Sequence, residues 1–383
     1  MAKWYLNSWK NCEIKHMPSY DNMPLVAYKL RSFAPLVKHE DVVNLSKLLS
    51  SVQEDNAFIL QIGECAETFV QSRKADIVSR VKFIEEIASI LAKSNKTIIK
   101  IGRIAGQYAK PRTQLYEDID GVSYGAYLGD IANGYPLNER VIDATRLLNA
   151  YYFSKYTLEV IKEISPSLFT SHEGLILDYE ESLTRMVGDQ YYNLSAHTIW
   201  IGERTRFLNS AHVEFAKGIA NPIGIKVSST TNLPELLDII KALNPDNIKG
   251  KIMLINRLGV GNVNNFLPSL LSMIQENNLN VLMMVDPMHG NTFKSKNDCK
   301  TRNFDDIIEE TLLFKSILDN YGVYFAGIHI EASYENVSEC LSNIENSIIK
   351  EENLYDNYLT YCDPRLNEVQ TKYLANKLID LIK

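Results

Sequence analysis

The chain has 383 residues, of which 45% are apolar and 23% charged, and a formal charge of −7. Such a composition supports an ordinary buried core and excludes disorder, collagen-like repeats and low complexity for the whole. The mildly acidic balance also argues against nucleic-acid binding, which needs a basic field.

No apolar run is long enough to span a bilayer, and the opening MAKWYLNSWKNCEIK lacks the basic-then-apolar order of a secretory signal. We therefore expect no membrane association and a cytoplasmic location. The five cysteines (Cys12, Cys65, Cys299, Cys340, Cys362) are odd in number and form no CxxC pair, which fits free thiols rather than a disulfide framework.

In chain order, residues 1–55 carry Trp4, Tyr5, Trp9 and Tyr20 and then a helical pattern over 41–52. This extension is expected to pack on the domain that follows or at a subunit interface. From residue 56 onward, short apolar runs alternate with amphipathic stretches up to residue 383. Eight runs stand out, at 58–65, 97–103, 168–173, 197–203, 223–227, 251–257, 280–287 and 325–331. Helices are expected over 75–93, 139–164, 206–217, 233–243, 263–276 and 304–320, several beginning near Asn, Thr or Asp.

Eight β/α units with near-continuous apolar strands predict an α/β fold, a (β/α)8 TIM barrel, because parallel strands buried on both faces lose the alternating pattern. A doubly wound sheet is the alternative, but no GxGxxG follows the first strand, and Gly259-Val260-Gly261 lacks a third glycine. Residues 114–137, rich in Tyr and Gly, read as a long loop at the end of the barrel where chemistry usually sits.

Collected as one set, the strand ends are polar. They offer Cys65, Arg103, His172 with Glu173, Glu203 with Arg204, Lys226, Arg257 and Glu331, and His289 follows the seventh run. Arg103, Arg204, Lys226 and Arg257 around one cavity repel each other unless an anionic ligand offsets them, which points to a phosphate- or carboxylate-rich substrate. Lys110, Arg112 and Thr113 on a nearby turn suit a second phosphate. Cys65, His289 and Glu331 lie on runs one, seven and eight, which adjoin when a barrel closes, and Asp363 offers a fourth donor. This mixed S/N/O set suits a divalent transition metal. Singly, each residue has a plainer reading. Cys65 would pass for a small buried hydrophobe, a strand-end Arg for an ion-pair partner, and His197, His329 and Cys362 for structural residues. The concentration at one end of nearly every strand favours a site.

The segments QIGECAETF, KIGRIAGQYAKPRTQ, TSHEGLILDYEESLTR, SAHTIWIGERTR, GIKV, DPMHGNT, HIEAS and YCDPRLN resemble, in that order, the type II 3-deoxy-D-arabino-heptulosonate 7-phosphate (DAHP) synthases. The likeness runs from about residue 57 to the end. It implies a metal-dependent barrel that condenses phosphoenolpyruvate with erythrose 4-phosphate, the first step of the shikimate pathway. It also implies metal ligation by Cys65, His289, Glu331 and Asp363, with Mn2+ or Co2+ as the usual ion. Phosphoenolpyruvate would bind Arg103, Glu203, Arg204, Lys226 and Arg257, and the aldose phosphate Lys110, Arg112 and Thr113. Glu203, Lys226 and Arg204 are the catalytic candidates, and a homo-oligomer, dimer or higher, is implied.

Two departures bear on these expectations. Where many members have Tyr-Arg-Gly-Asp, this chain has Tyr127-Leu128-Gly129-Asp130. It is also short for the resemblance, so weak feedback by aromatic amino acids and service to secondary metabolism are expected. An aminoDAHP synthase of an aminoshikimate pathway is the close alternative, and a non-catalytic partner of another shikimate enzyme the distant one.

Overall fold

The computed structural model describes residues 4–112 and 114–383. Its centre is a closed barrel of eight parallel strands: β1 (Ala57–Gly63), β2 (Thr97–Arg103), β3 (Phe169–Glu173), β4 (Thr198–Ile201), β5 (Ile223–Ser228), β6 (Ile252–Arg257), β7 (Leu282–Val285) and β8 (Phe325–Glu331). Each expected run supplies one strand. The barrel closes where β1 pairs with both β2 and β8, which sets Gly63 opposite Arg103 on one side and Glu331 on the other.

Alternate residues of each strand face inward, and polarity rises along the axis. The base is apolar, with Ala57, Ile59, Ile99, Phe169, Met253 and Met284 in one cluster. Above it lies a hydrogen-bonded layer. Gln61 Nε2 donates to Ser171 Oγ (2.9 Å), Ser171 Oγ donates to the Gly102 carbonyl (3.1 Å), and His329 Nδ1 lies 2.7 Å from Gln61 Oε1. At the top come Arg103, Glu173, Lys226, Arg257 and Glu331. Glycines make room inside: a Cβ at Gly224 would meet Trp200 Cβ at 2.8 Å, and one at Gly327 would meet the Ile59 carbonyl at 2.5 Å.

The open base is plugged. Helix His39–Ser50 sends Leu45 and Leu49, with Val52 after it, into the basal cluster, and all three are almost fully buried. Helix Met23–Ser32 packs on helices Leu177–Leu183 and Arg146–Ile164.

Three expected helices, 233–243, 263–276 and 304–320, appear with those bounds. Two begin later than expected, for local reasons. The helix expected from 206 starts at Ala211, because Arg206 is drawn into the barrel mouth by Glu203 and the Lys226 carbonyl, and Ser210 then caps Val213 N–H. The helix expected from 139 starts at Arg146, after Asp143 accepts from Thr145 N–H and Oγ1. The loop after β2 contains an unexpected hairpin, Tyr116–Ile119 with Val122–Gly125, turned by Asp120 and Gly121, both at positive φ as a type I′ turn requires. Among the described residues, no helix is long and apolar enough to cross a membrane.

Leu49→Ala should cost about 2–5 kcal/mol, the usual range for truncating a buried leucine that cannot be refilled. Equilibrium urea unfolding checks this, and a loss below about 1 kcal/mol would show that the basal helix is not part of the folded core.

Candidate active site and metal centre

The strand tops enclose a cavity of about 140 Å3 lined by Arg103, Lys110, Glu173, Glu203, Arg204, Lys226 and Arg257, with Cys65, His289 and Asp363 at its edge. Larger hollows lie around the base, between the plug helix and its neighbours, away from this charged set.

Glu331 organises the centre. It is fully buried, and Arg103 Nη2 donates to its Oε1 (3.0 Å) while Arg302 Nη2 donates to its Oε2 (2.7 Å). Burial alone would raise its pKa, but His289, Arg302 and Arg103 outweigh that and hold it well below the usual carboxylate range. Arg103 also donates to the carbonyls of Glu64 (2.9 Å) and Cys65 (3.2 Å), and to His329 Nε2. Because a guanidinium can only donate, His329 must accept at Nε2 and carry its proton at Nδ1 toward Gln61. Burial, with Lys226 and Arg103 nearby, holds this ring neutral, its pKa well below the ordinary value. His329 therefore acts as a support for Arg103.

Asp286 joins two expected site residues. Its carboxylate pairs with Lys226 Nζ, receives His289 Nδ1 at 2.8 Å and accepts N–H groups from Met288 and His289. Burial opposes its charge, but His289 and Lys226 prevail and keep it well below the usual range. Lys226 is itself lowered to about 8, first by burial and further by Arg103, against the pull of Asp286.

Glu203 Oε1 accepts from Arg206 Nη2 (2.7 Å) and Ser228 Oγ (2.9 Å). Among the described residues, Glu203 Oε2, Glu173 Oε1 and Arg257 Nε are buried without a hydrogen-bond partner, and all three residues line the cavity. Buried polar atoms of this kind mark a place where a polar ligand completes the bonding. Burial raises the Glu173 pKa against Lys110, Lys226, Arg204 and His289.

The metal donors also converge. Ligand atoms of Cys65, Glu331 and Asp363 lie within 4.8 Å of one another. His289 Nε2 is 3.0 Å from Glu331 Oε1, and since Nδ1 already faces Asp286, two acceptors meet across that gap unless a proton or a cation stands between them. Lys110 Nζ sits among the same donors, 3.0 Å from Cys65 Sγ and 2.5 Å from Asp363 Oδ2, and Lys300 holds the other Asp363 oxygen at 3.0 Å. Lys110 and Lys300 hold Asp363 well below the usual range despite its burial. Burial, a hydrogen bond with Cys362 and the Glu331 charge push the Cys65 thiol well up, so a metal would have to displace its proton. One sulfur, one imidazole and two carboxylates fit a divalent transition metal in number and kind.

Of the remaining expected residues, Arg112 is not among the cavity-lining residues but lies beside the loop after β2, its Nε donating to the Tyr127 carbonyl (2.9 Å). Thr113 lies outside the described residues. His172, grouped with the strand ends, turns from the cavity to Glu180, 2.8 Å away. Sequence reading missed Arg206, Arg302 and the partner role of Asp286. Asp286 carried a signal, since it stands three residues before His289 in a Pro-containing turn, whereas Arg302 arrives from a three-residue strand too short to read.

A family model described as the class-II DAHP synthetase family matches residues 4–167 and 162–379. A phospho-2-dehydro-3-deoxyheptonate aldolase of Neurospora crassa is 33% identical over 453 aligned positions, covering 98% of this chain and 94% of that protein. Proteins of the same name from Streptomyces coelicolor (96% and 95% covered) and Mycolicibacterium smegmatis (96% and 92%) are also 33% identical. The solved phospho-2-dehydro-3-deoxyheptonate aldolase of Francisella tularensis covers 97% of the chain with a TM-score of 0.56 at 17% identity, a likeness of fold. Matched over nearly its whole length, the chain belongs to the class-II DAHP synthetase family.

Proposed function

We propose that this chain is a DAHP synthase that condenses phosphoenolpyruvate with erythrose 4-phosphate to DAHP and phosphate, the opening step of the shikimate pathway. The observation that carries this reading is the cavity where Arg103, Arg204, Lys226 and Arg257 converge beside the donors Cys65, His289, Glu331 and Asp363, in a chain of this family. A bound divalent ion, Mn2+ or Co2+, would supply Lewis acidity toward the aldehyde oxygen.

The residues then divide the work. The four cations bind the phosphate and carboxylate of the enol phosphate and orient C3 toward the aldehyde carbon, a positioning effect that can contribute several kcal/mol. As the C3–C1 bond forms, positive character develops at C2. The unpartnered Glu203 Oε2 is placed to take a proton from the water that captures C2, with Lys226 beside it. Collapse of the resulting hemiketal phosphate expels inorganic phosphate. Lys110 and Arg112, with Thr113, hold the aldose phosphate. Leu128, where the Tyr-Arg-Gly-Asp pattern of many family members has Arg, has its side chain buried in a cluster with Tyr108 and Tyr151, away from the cavity lining, so the four cations around the cavity are unaffected by the departure. The Neurospora alignment is longer than this chain, so that relative carries inserted residues this chain lacks, and weak feedback by aromatic amino acids is part of the proposal.

Three outcomes are expected. Chelator-stripped protein given Mn2+ or Co2+ should consume phosphoenolpyruvate only when erythrose 4-phosphate is present, releasing one phosphate per turnover. Turnover with an imino-aldose phosphate alone would shift the assignment to an aminoDAHP synthase, and none with either would remove the synthase reading. Cys65→Ser should weaken Mn2+ binding by calorimetry and lower activity together, since a hydroxyl is a poor substitute for thiolate. Unchanged affinity would take Cys65 out of the metal set. Finally, Lys226 binds anion only when protonated and sits at about 8, so kcat/KM for phosphoenolpyruvate should fall as pH rises through about 8. Lys226→Arg should remove that limb, because a guanidinium stays charged; a limb that persists would belong to another group.

A further inference from the structure

The long loop after β2 and the loop that carries Asp363 are far apart in sequence, and three tyrosines join them. Tyr135 and Tyr361 stack with ring centroids 3.9 Å apart and planes 8° from parallel. Both rings are more than two-fifths exposed (43% and 47%), so this is contact between two loops at the barrel mouth and not core packing. Tyr127 meets both edge-on, at 5.5 and 6.0 Å, and is locked by its hydroxyl donating to Asp130 Oδ1 (2.8 Å).

Arg140 completes the assembly from below. Its guanidinium lies 5.2 Å from the Tyr135 ring and 5.9 Å from the Tyr127 ring, and its Nε donates to the Tyr135 carbonyl (2.7 Å). Arg112 is held by backbone groups of the same tyrosines: Nε donates to the Tyr127 carbonyl at 2.9 Å and Nη2 to the Tyr361 carbonyl at 3.5 Å. Two residues beyond Tyr361 stands Asp363, paired with Lys110.

We infer that Tyr127, Tyr135 and Tyr361 form an aromatic strap that fixes Arg112 beside the Lys110–Asp363 pair and so sets the enzyme's affinity for the phosphate end of the aldose phosphate. The three tyrosines are positioning residues. They act through Arg112, and the inference rests on the functional reading above for the identity of the anion. Arg112 commits Nε and one Nη2 donor to two carbonyls whose separation depends on the stack, which leaves its remaining N–H groups for an anion, and a slip of one ring against the other moves the guanidinium. The phosphoenolpyruvate cations Arg103, Lys226 and Arg257 hang from barrel strands and do not depend on it.

The test uses the full-length, metal-loaded enzyme with Tyr135→Ala as the main variant, since Tyr135 is remote in sequence from the metal donors. An aromatic contact of this strength predicts a rise of about five-fold in KM for erythrose 4-phosphate, with KM for phosphoenolpyruvate within about two-fold of wild type. Tyr135→Phe, which keeps the ring and loses only the hydroxyl, should leave both values at wild type; a rise there equal to that of Tyr135→Ala would assign the effect to the hydroxyl and overturn the stacking role. Tyr361→Ala should act alike, and the double variant should be no worse than either single one, because one contact is lost once.

Hydrogen exchange across residues 126–137 gives a readout independent of turnover. Protection should drop in both alanine variants and return in Tyr135→Phe. Reduced protection with an unchanged aldose phosphate KM would overturn the link to Arg112, and unchanged protection would overturn the strap itself. A wild-type enzyme that ignores erythrose 4-phosphate but shows strap-dependent protection would instead overturn the functional reading, leaving the positioning of Arg112 standing.

Discussion

Glu331 is the constraint on which the site depends. A carboxylate with no solvent exposure is costly unless it is paired on both oxygens, and here two guanidiniums and an imidazole surround it. Those partners come from different parts of the chain: Arg103 from β2, Arg302 from a short hairpin strand and His289 from the turn after β7. One buried charge therefore gathers three segments at the mouth of the barrel. Ion pairs this deep contribute little net stability, because desolvation offsets the attraction. They specify geometry, since each partner has only one place where its charge is compensated.

The same logic explains how so many cations coexist. Arg103, Lys226 and Arg257 would repel one another in an apolar barrel, but each is tied to an acceptor: backbone carbonyls and Glu331 for Arg103, Asp286 for Lys226 and the His289 carbonyl for Arg257. Unspent donor capacity remains, seen in the buried, unpartnered Nε of Arg257, a residue that lines the cavity. The groups are set before any ligand arrives, so binding an anion requires little reorganisation. Polarity rising from the plugged base to the charged mouth keeps this cluster at one end. It also lets Gln61 and Ser171 brace His329, and through it Arg103, from beneath.

Much of this was legible in the sequence because parallel barrel strands write themselves as apolar runs and end in residues that have no apolar partner to meet. Cys65, Arg103, Lys226, Arg257 and Glu331 could be read that way, and the structure brings them together. What escaped lies off the strands. Arg302 and Arg206 act from segments whose local pattern says only that the chain is turning, and their importance is a matter of which distant charge they meet. The hairpin after β2 did carry a local signal, Asp120-Gly121 between alternating residues, which is the composition a type I′ turn demands. The helices start at 211 and 146, later than the pattern suggests, because the pull on Arg206 and the local turn in which Asp143 accepts from Thr145 override propensity.

The contrast between strands and loops also bears on how such a site tolerates change. Arg103, Lys226 and Arg257, proposed above to hold the enol phosphate, are anchored to the barrel wall, where a shift of one residue in register would reverse every side chain. The residues proposed for the aldose phosphate lie on loops and are held through main-chain carbonyls: Lys110 N–H on the Leu128 carbonyl (2.8 Å) and Arg112 on the carbonyls of Tyr127 and Tyr361. A carbonyl is present whatever side chain its residue bears. Leu128 turns its side chain into the core while its backbone keeps the pairing that places Lys110. On this view the proposed aldose-phosphate pocket is free to vary in side chains as long as the loop path is kept, and aromatic contacts between loops, such as the stack of Tyr135 on Tyr361, are one way to keep it.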